Sequence, residues 1–298
     1  MDFNDEGIKK VVKLATPVLI STWVQPINNL VNLRFASGLE NNQAVPALDY
    51  SSKLYTLMVG AFSLTLSNII FPELSKLTSD DKKNEIKKIL NNSIKISLLF
   101  IIPMSIGVIL LSHDIIKIIY ERGEFTAHST MLTSQALLYY AIGMIGYGLM
   151  EVLNKAFYAM QDSKTPMKIS IVAIALNLAL SITLVRVMGY TGLPLAASIT
   201  SIIIGILMVV IINKKIPGIV EKKDIKEFAK ILISAIAMGL LIIVLKTVII
   251  GNTLIKTILR VVFCVGAGVI SYFACAILLK NQTINEYISK IKKERWVW

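Results

Sequence analysis

Charged residues, histidine and cysteine are all scarce in this chain. Only 17% of its 298 residues are charged, whereas 55% are hydrophobic, and the mean hydropathy is +0.68. A soluble domain of this size carries about 25% charged residues and is much less apolar. The scarcity of charge therefore excludes an ordinary water-soluble fold and indicates a membrane protein.

The few histidines and cysteines argue against an enzyme. His113 and His128 fall in one predicted outer loop, and neither belongs to an HExxH motif, a nucleophile elbow or a cysteine–histidine pair. Cys264 and Cys275 lie in one apolar segment, where small packing side chains are expected, with no disulfide or metal signal. We therefore predict no catalytic residue and no cofactor.

Long apolar runs dominate the chain and predict an all-α bundle of about eight transmembrane helices. A span needs roughly 20 mostly apolar residues, because only a helix satisfies its own backbone hydrogen bonds in hydrocarbon. The fourth segment is long enough to be tilted or to extend past the bilayer. The predicted segments are residues 14–36, 54–72, 93–111, 131–158, 167–186, 192–213, 228–250 and 257–279.

Basic residues are distributed unevenly between the two sides of the predicted bundle. Of the 31 Lys and Arg residues, 23 fall in the N-terminal stretch, the C-terminal tail and alternate loops, and eight fall on the opposite side. The positive-inside rule places the richer side, and with it both termini, in the cytoplasm.

Two further expectations follow from the charged residues. The polar N-terminus predicts no signal peptide. The net charge of +12 reflects these short loops, so no nucleic-acid partner is predicted.

The first predicted span is unusually polar. Five side chains interrupt its apolar residues, and several are four positions apart, so that they share a helical face. They either line a water-filled cavity, which we favour, or form hydrogen bonds to neighbouring helices. Arg34, like Arg186, lies near a span end, where its side chain can also snorkel to the interface. The five candidate cavity residues are Gln25, Asn28, Asn29, Asn32 and Arg34.

Other polar residues allow two interpretations each. Lys53 opens the second span and either snorkels to the interface or points into the cavity, where Asp49 or a substrate anion would compensate its charge. Asn177 and Ser181 share a face of the fifth span, and together with Asn32 they are weak candidates for a monovalent cation site. Helix–helix hydrogen bonding is the favoured role for these three residues.

Three glycines fall inside the fourth predicted span. Gly143, Gly146 and Gly148 indicate close packing or a kink rather than a nucleotide loop.

Two longer stretches, ERGEFT at residues 121–126 and KAFYAMQDSKTP at residues 155–166, resemble motifs of the MurJ/MviN lipid II flippase family. Further matching positions are Asn177 in the fifth span and the stretches FPELS at 71–75 and GLPLAAS at 192–198. The family motif positions in this sequence are Arg122, Gly123, Phe125, Phe157, Tyr158, Asp162, Thr165 and Pro166.

The resemblance covers nearly the whole chain but aligns it with only the C-terminal portion of that family, spans seven to fourteen. It implies a second transporter lobe at residues 1–215, two groove helices at 216–280 and a basic cytoplasmic tail at 281–298. It also implies a bacterial cytoplasmic-membrane flippase that moves lipid II from the inner to the outer leaflet by alternating access. The implied partners are an undecaprenyl-pyrophosphate-linked lipid and a first-lobe polypeptide or a second copy of the chain.

The sequence departs from the family pattern in the predicted cavity. Lys53 matches a family cavity arginine, and its compact ammonium lacks the bidentate fork of a guanidinium. Ser52 stands where the family has an aspartate, and an acid that some members place near Asn32 is absent. Two alternatives therefore stay open, namely an exporter of another lipid-linked oligosaccharide and a non-transporting remnant or subunit of a split flippase.

Overall fold

The computed structural model describes residues 15–19, 22–75, 83–251 and 253–285, and its regular elements there are all helical. The predicted all-α membrane fold is confirmed. We number the helices in chain order. They are α1 (Val24–Ala36), α2 (Ala44–Ser75), α3 (Lys83–Tyr120), α4 (Ala127–Ile142), α5 (Met144–Ala159), α6 (Lys164–Met188), α7 (Gly192–Lys215), α8 (Lys222–Val248) and α9 (Leu254–Leu278).

Four helical segments in the described part are long and apolar enough to cross a membrane, at 84–120, 164–215, 223–248 and 254–278. The bent pair of α4 and α5 adds a fifth when it is counted as one span. The chain is therefore a multi-pass membrane protein. Part of the predicted first span, residues 14 and 20–21, lies outside the description, as do residues 286–298 of the predicted tail.

Helices α6 and α7 form an antiparallel hairpin within the 164–215 segment. Lys215, the last residue of α7, pairs with Asp162, which precedes α6, so the two far ends lie side by side. A 3-10 turn at Gly189–Thr191 reverses the chain, and Gly189 has a φ of +62°, which glycine adopts without a steric penalty. The predicted spans 167–186 and 192–213 therefore correspond to two helices of one long apolar segment.

The predicted span 131–158 is not one continuous helix. It consists of α4 and α5, which are bent by 53° where they meet at Gly143. Gly143 and Gly146 pack on α7 so closely that a Cβ atom on Gly146 would lie 2.2 Å from the Ser201 carbonyl carbon. Ser198 donates a hydrogen bond to the Tyr139 carbonyl (2.5 Å) and Ser201 to the Gly143 carbonyl (2.9 Å). These bonds satisfy carbonyl groups at the break, as a bent helix in a membrane requires.

Helices α8 and α9 dock together against α3. At one end Lys95 of α3 pairs with Asp224 of α8 at 2.7 Å, and at the other Asp114 of α3 pairs with Arg260 of α9. Between them the Tyr272 hydroxyl donates to the Leu99 carbonyl at 2.7 Å. The opposite faces of α8 and α9 expose large apolar side chains, as expected of helices in contact with lipid.

Candidate functional site

A cavity of about 830 Å³ lies among helices α1, α2, α4, α5, α6 and α7. A second cavity of about 620 Å³ shares some of its lining residues, including Asn29, Asn32 and Asp49. Polar groups line the larger cavity, because each contributing helix places amide, hydroxyl or charged side chains on its wall. These include Asn28, Asn29, Asn32, Asp49, Lys53, Tyr140, Tyr147, Glu151, Asn154, Lys155, Tyr158, Ser170, Thr200 and Ser201.

The structure brings three of the predicted amides of α1 into this cavity wall. Asn28, Asn29 and Asn32 line the cavity, and Asn32 donates a hydrogen bond to the Tyr140 hydroxyl at 3.2 Å. The side-chain oxygens of Asn28 and Asn32 have no hydrogen-bond partner within the described part of the chain. The side chain of Gln25 lies outside the described residues. Arg34 is exposed in the last turn of α1 and is not among the described residues lining the cavity.

Lys53 lies in the cavity wall beside a compensating carboxylate. Its ammonium is 2.6 Å from the Asp49 carboxylate, one helical turn earlier in α2, and both residues line the cavity. The side chains of Lys53 and Asp49 are 67% and 52% exposed, so water and a ligand can reach the pair. An anion that approaches Lys53 therefore meets a cation that is already partly neutralised.

Helix α5 supplies cavity residues that the sequence analysis did not assign to the cavity. Glu151, Asn154, Lys155 and Tyr158 all line the cavity, and Tyr147 lies one turn before Glu151. A signal for them was present, because positions 147, 151, 154, 155 and 158 recur at helical spacing and share one face. Tyr55 packs between Tyr147 and Tyr140, with ring centroids 5.3 Å from each.

The three weak cation candidates do not share one set of hydrogen bonds. Ser181 donates to the Asn177 side-chain oxygen at 3.5 Å within α6, whereas Asn32 bonds to Tyr140. The Asn177 side-chain nitrogen has no partner among the described residues. Of these contacts only the Asn32–Tyr140 bond joins two helices, whereas the Ser181–Asn177 bond lies within α6.

The first family-like stretch, residues 121–126, forms the turn before α4. Gly123 has a φ of +59°, which explains a glycine at this position. Phe125 packs against Tyr50 and Tyr120, with ring centroids 5.7 Å apart in each case, while Arg122 is exposed. The turn is therefore attached to α2 close to the Lys53–Asp49 pair.

The second stretch, residues 155–166, joins α5 to α6. The Asp162 carboxylate accepts hydrogen bonds from the Thr165 amide (3.0 Å) and the Thr165 hydroxyl (2.6 Å) and pairs with Lys215. Burial raises the pKa of Asp162, but the hydrogen bonds from Lys215 and Thr165 and the Lys215 charge outweigh it and lower the pKa below its usual value. Phe157 is fully buried beneath Lys215, and Pro166 is buried in the first turn of α6.

A family model described as "Lipid II flippase MurJ" matches residues 1–264. The chain belongs to this family. The family resemblance of the sequence motifs is thereby confirmed. Because the match covers α1 to α8 and the first part of α9, it applies to the whole cavity described above.

Individual MurJ relatives agree with this assignment. A protein of Rickettsia prowazekii named "Probable lipid II flippase MurJ" is 32% identical over 283 residues, which are 93% of this chain and 55% of the relative. The "Lipid II flippase MurJ" of Thermosipho africanus is 35% identical over 191 residues, 64% of this chain and 38% of that protein. The chain thus spans about half the length of the curated relatives that it matches.

Solved structures give the same fold. The structure titled "Lipid II flippase MurJ, inward closed conformation" superposes with a TM-score of 0.75 and 28% identity, covering 93% of this chain and 56% of that one. A transporter of the MOP superfamily from Pyrococcus furiosus superposes at 0.55 with 16% identity, which shows a shared fold alone.

Proposed function

We propose that this chain forms one lobe of a lipid II flippase, which moves lipid-linked peptidoglycan precursor from the inner to the outer leaflet. Family membership and the names of the MurJ relatives support the proposal. The observation that carries it is the polar cavity of about 830 Å³ inside a bundle of apolar helices. Polar groups inside a membrane bundle are costly and usually mark a substrate pathway.

The cavity wall suits the head group of a lipid-linked diphosphate. Lys53 and Lys155 supply positive charge, and the amides of Asn28 and Asn29 supply hydrogen-bond donors for phosphate or sugar oxygens. A lysine ammonium attracts phosphate as a point charge, with less directional definition than arginine. The polyprenyl tail would remain in lipid while the head group crosses within the cavity.

We also propose the division of the chain that the family resemblance implies. Residues 1–215 form the transporter lobe, 216–280 the two groove helices and 281–298 a cytoplasmic basic tail. The docking of α8 and α9 on α3, with their apolar faces exposed, supports a tail-binding role for these two helices. The excess of basic residues on one side supports an orientation in the bacterial cytoplasmic membrane with both termini in the cytoplasm.

Alternating access requires a second body that moves against this lobe. Asn29, Asp49 and Lys53 are exposed in the cavity, and such polar side chains are unfavourable against hydrocarbon. We propose that a first-lobe polypeptide or a second copy of the chain covers them. The potential across the membrane would bias transport of the charged head group by about 2.3 kcal/mol per elementary charge per 100 mV.

Reconstitution into liposomes tests the proposed substrate. Vesicles that contain the complete complex should translocate fluorescent lipid II, and unlabelled lipid II should compete better than another undecaprenyl-diphosphate oligosaccharide. Preferential competition by the other oligosaccharide would assign a different lipid-linked substrate. Absence of any translocation by a folded complex would instead favour a non-transporting subunit.

A further inference from the structure

Glu151 places a carboxyl group in the cavity wall. The transport of an anion, as proposed above, does not by itself require a carboxyl group there. Glu151 lies near the middle of α5 and is half-buried. Tyr147, one turn earlier, donates a hydrogen bond to its carboxylate, and the charge of Lys155 acts on it from one turn later. The other carboxylate among the described residues of this wall, Asp49, is paired with Lys53 at 2.6 Å.

A line of tyrosines connects Glu151 with the amides of α1. Tyr147 packs against Tyr55, and Tyr55 stacks on Tyr140 with ring planes 21° apart. Tyr140 accepts a hydrogen bond from Asn32, whose side-chain oxygen has no partner in the described part of the chain. One packed row of side chains therefore joins Glu151 to Asn32 of α1 within the cavity wall.

Two physical costs act on an ionised Glu151. A half-buried carboxylate inside a membrane bundle loses part of its hydration, and a diphosphate in the same cavity repels it. Binding a proton removes both costs. We propose that Glu151 is a proton-binding site of the cavity, and that proton uptake at Glu151 and diphosphate binding favour each other.

The proton balance of this step is simple. A proton from cavity water binds a carboxylate oxygen of Glu151, giving a neutral acid that stays hydrogen-bonded to Tyr147, and it returns to water when the anion leaves. Because coupling between two binding equilibria is reciprocal, the anion increases proton affinity by the same factor by which the proton increases anion affinity. The identity of the anion rests on the proposed function, whereas the proton site rests on Glu151 itself.

Among the described residues, the other titratable groups that line this cavity belong to three helices. Helix α5 contributes Tyr147, Lys155 and Tyr158, and α4 contributes Tyr140. Helix α2 contributes Asp49, Lys53 and Tyr55. The described lining residues of α1, α6 and α7 are neutral amides, hydroxyls and alanines. Two carboxyl groups, Asp49 and Glu151, are among the described residues of the wall. Asp49 is paired with Lys53, whereas Glu151 forms no such ion pair within the described part of the chain.

Infrared spectroscopy of the purified full chain tests the proton site without any transport assay. Difference spectra between mildly acidic and mildly alkaline buffer should show a protonated-carboxyl carbonyl band that Glu151→Gln removes. The control Glu85→Gln changes an exposed carboxylate outside the described cavity wall and should keep the band. Tyr147→Phe should keep the band but shift its frequency, because it removes a hydrogen bond to the carboxyl group. A band that survives in folded Glu151→Gln would overturn the proposal.

Binding of inorganic pyrophosphate tests the coupling. Its affinity should rise on acidification more steeply in the unmodified chain than in Glu151→Gln, with the excess in the range typical of coupled sites, about fivefold to 150-fold. The pH dependence that remains in Glu151→Gln reflects the protonation of pyrophosphate itself, so this variant provides the baseline. Equal pH dependence in both proteins would contradict coupling. If lipid II translocation fails while the infrared band of Glu151 is observed, the result contradicts the proposed function but not the proton site.

Discussion

At the residue scale, the pair of Lys53 and Asp49 determines what charge an incoming anion meets. Lys53→Glu places two carboxylates one turn apart in the cavity, so we expect it to abolish lipid II flipping by the complete complex. Lys53→Arg keeps the charge, adds a bidentate donor and should preserve or improve flipping. The measurement is translocation of labelled lipid II in liposomes. Normal flipping by Lys53→Glu would remove Lys53 from the substrate site.

Asp162 makes a pH-dependent connection between α6 and α7. Its pKa is lowered in the folded protein, so the connection stabilises the fold above the ordinary aspartate pKa of 3.8 and is lost as the pH falls through the lower folded value. Thermal unfolding in detergent should show Asp162→Asn less stable than the unmodified chain at neutral pH, with the difference vanishing in strong acid. Glu124→Gln, at an exposed carboxylate, should show no such convergence. A constant difference at all pH values would contradict the assignment.

The sequence predicted the amides of the cavity but not its second carboxylate. Asn28, Asn29 and Asn32 stand out because they interrupt an apolar run, and residue type alone identifies them. Glu151 and Lys155 lie close to a basic loop, where charge is expected for topological reasons. Which way they point depends on how α5 packs after the 53° bend at Gly143, where Gly143 and Gly146 lie against α7.

At the element scale, long apolar runs located the helices, but α3 is much longer than the span predicted for it. The predicted span 93–111 lies inside α3, which runs from Lys83 to Tyr120. The apolar run defines only the part that meets hydrocarbon, whereas the helix continues through polar turns before residue 93, where Lys87 pairs with Glu221 at 3.0 Å. Of the three glycines for which the sequence predicts close packing or a kink, Gly143 lies at the bend, and Gly143 and Gly146 pack closely on α7.

The close approach of α5 to α7 gives a prediction for this pair of helices. Gly146→Ala would place a Cβ atom 2.2 Å from the backbone of Ser201, so one helix must move, at a cost of about 1–3 kcal/mol of unfolding free energy. The matched control is Gly107→Ala in α3, where an added Cβ atom meets no atom within 4 Å. Equilibrium unfolding in detergent compares the two variants. Equal stability of the two would show that α5 and α7 are not in contact as described.

At the scale of the whole molecule, the uneven distribution of basic residues predicts the orientation. A reporter that is active only in the cytoplasm should work when it is fused after Trp298 or inserted within residues 214–230. A reporter that requires export should be inactive at both positions. Activity of the export reporter at either position would contradict the predicted orientation and place the Asp162–Lys215 connection on the outer side of the membrane.

The central claim is that the cavity of this chain is one wall of a two-lobe flippase. Translocation of labelled lipid II tests it most directly, in liposomes that contain either the verified monomer alone or the chain together with a first-lobe polypeptide. The account predicts no translocation by the monomer and translocation by the complex, because alternating access needs two bodies that move against each other. Robust translocation by the verified monomer would contradict it.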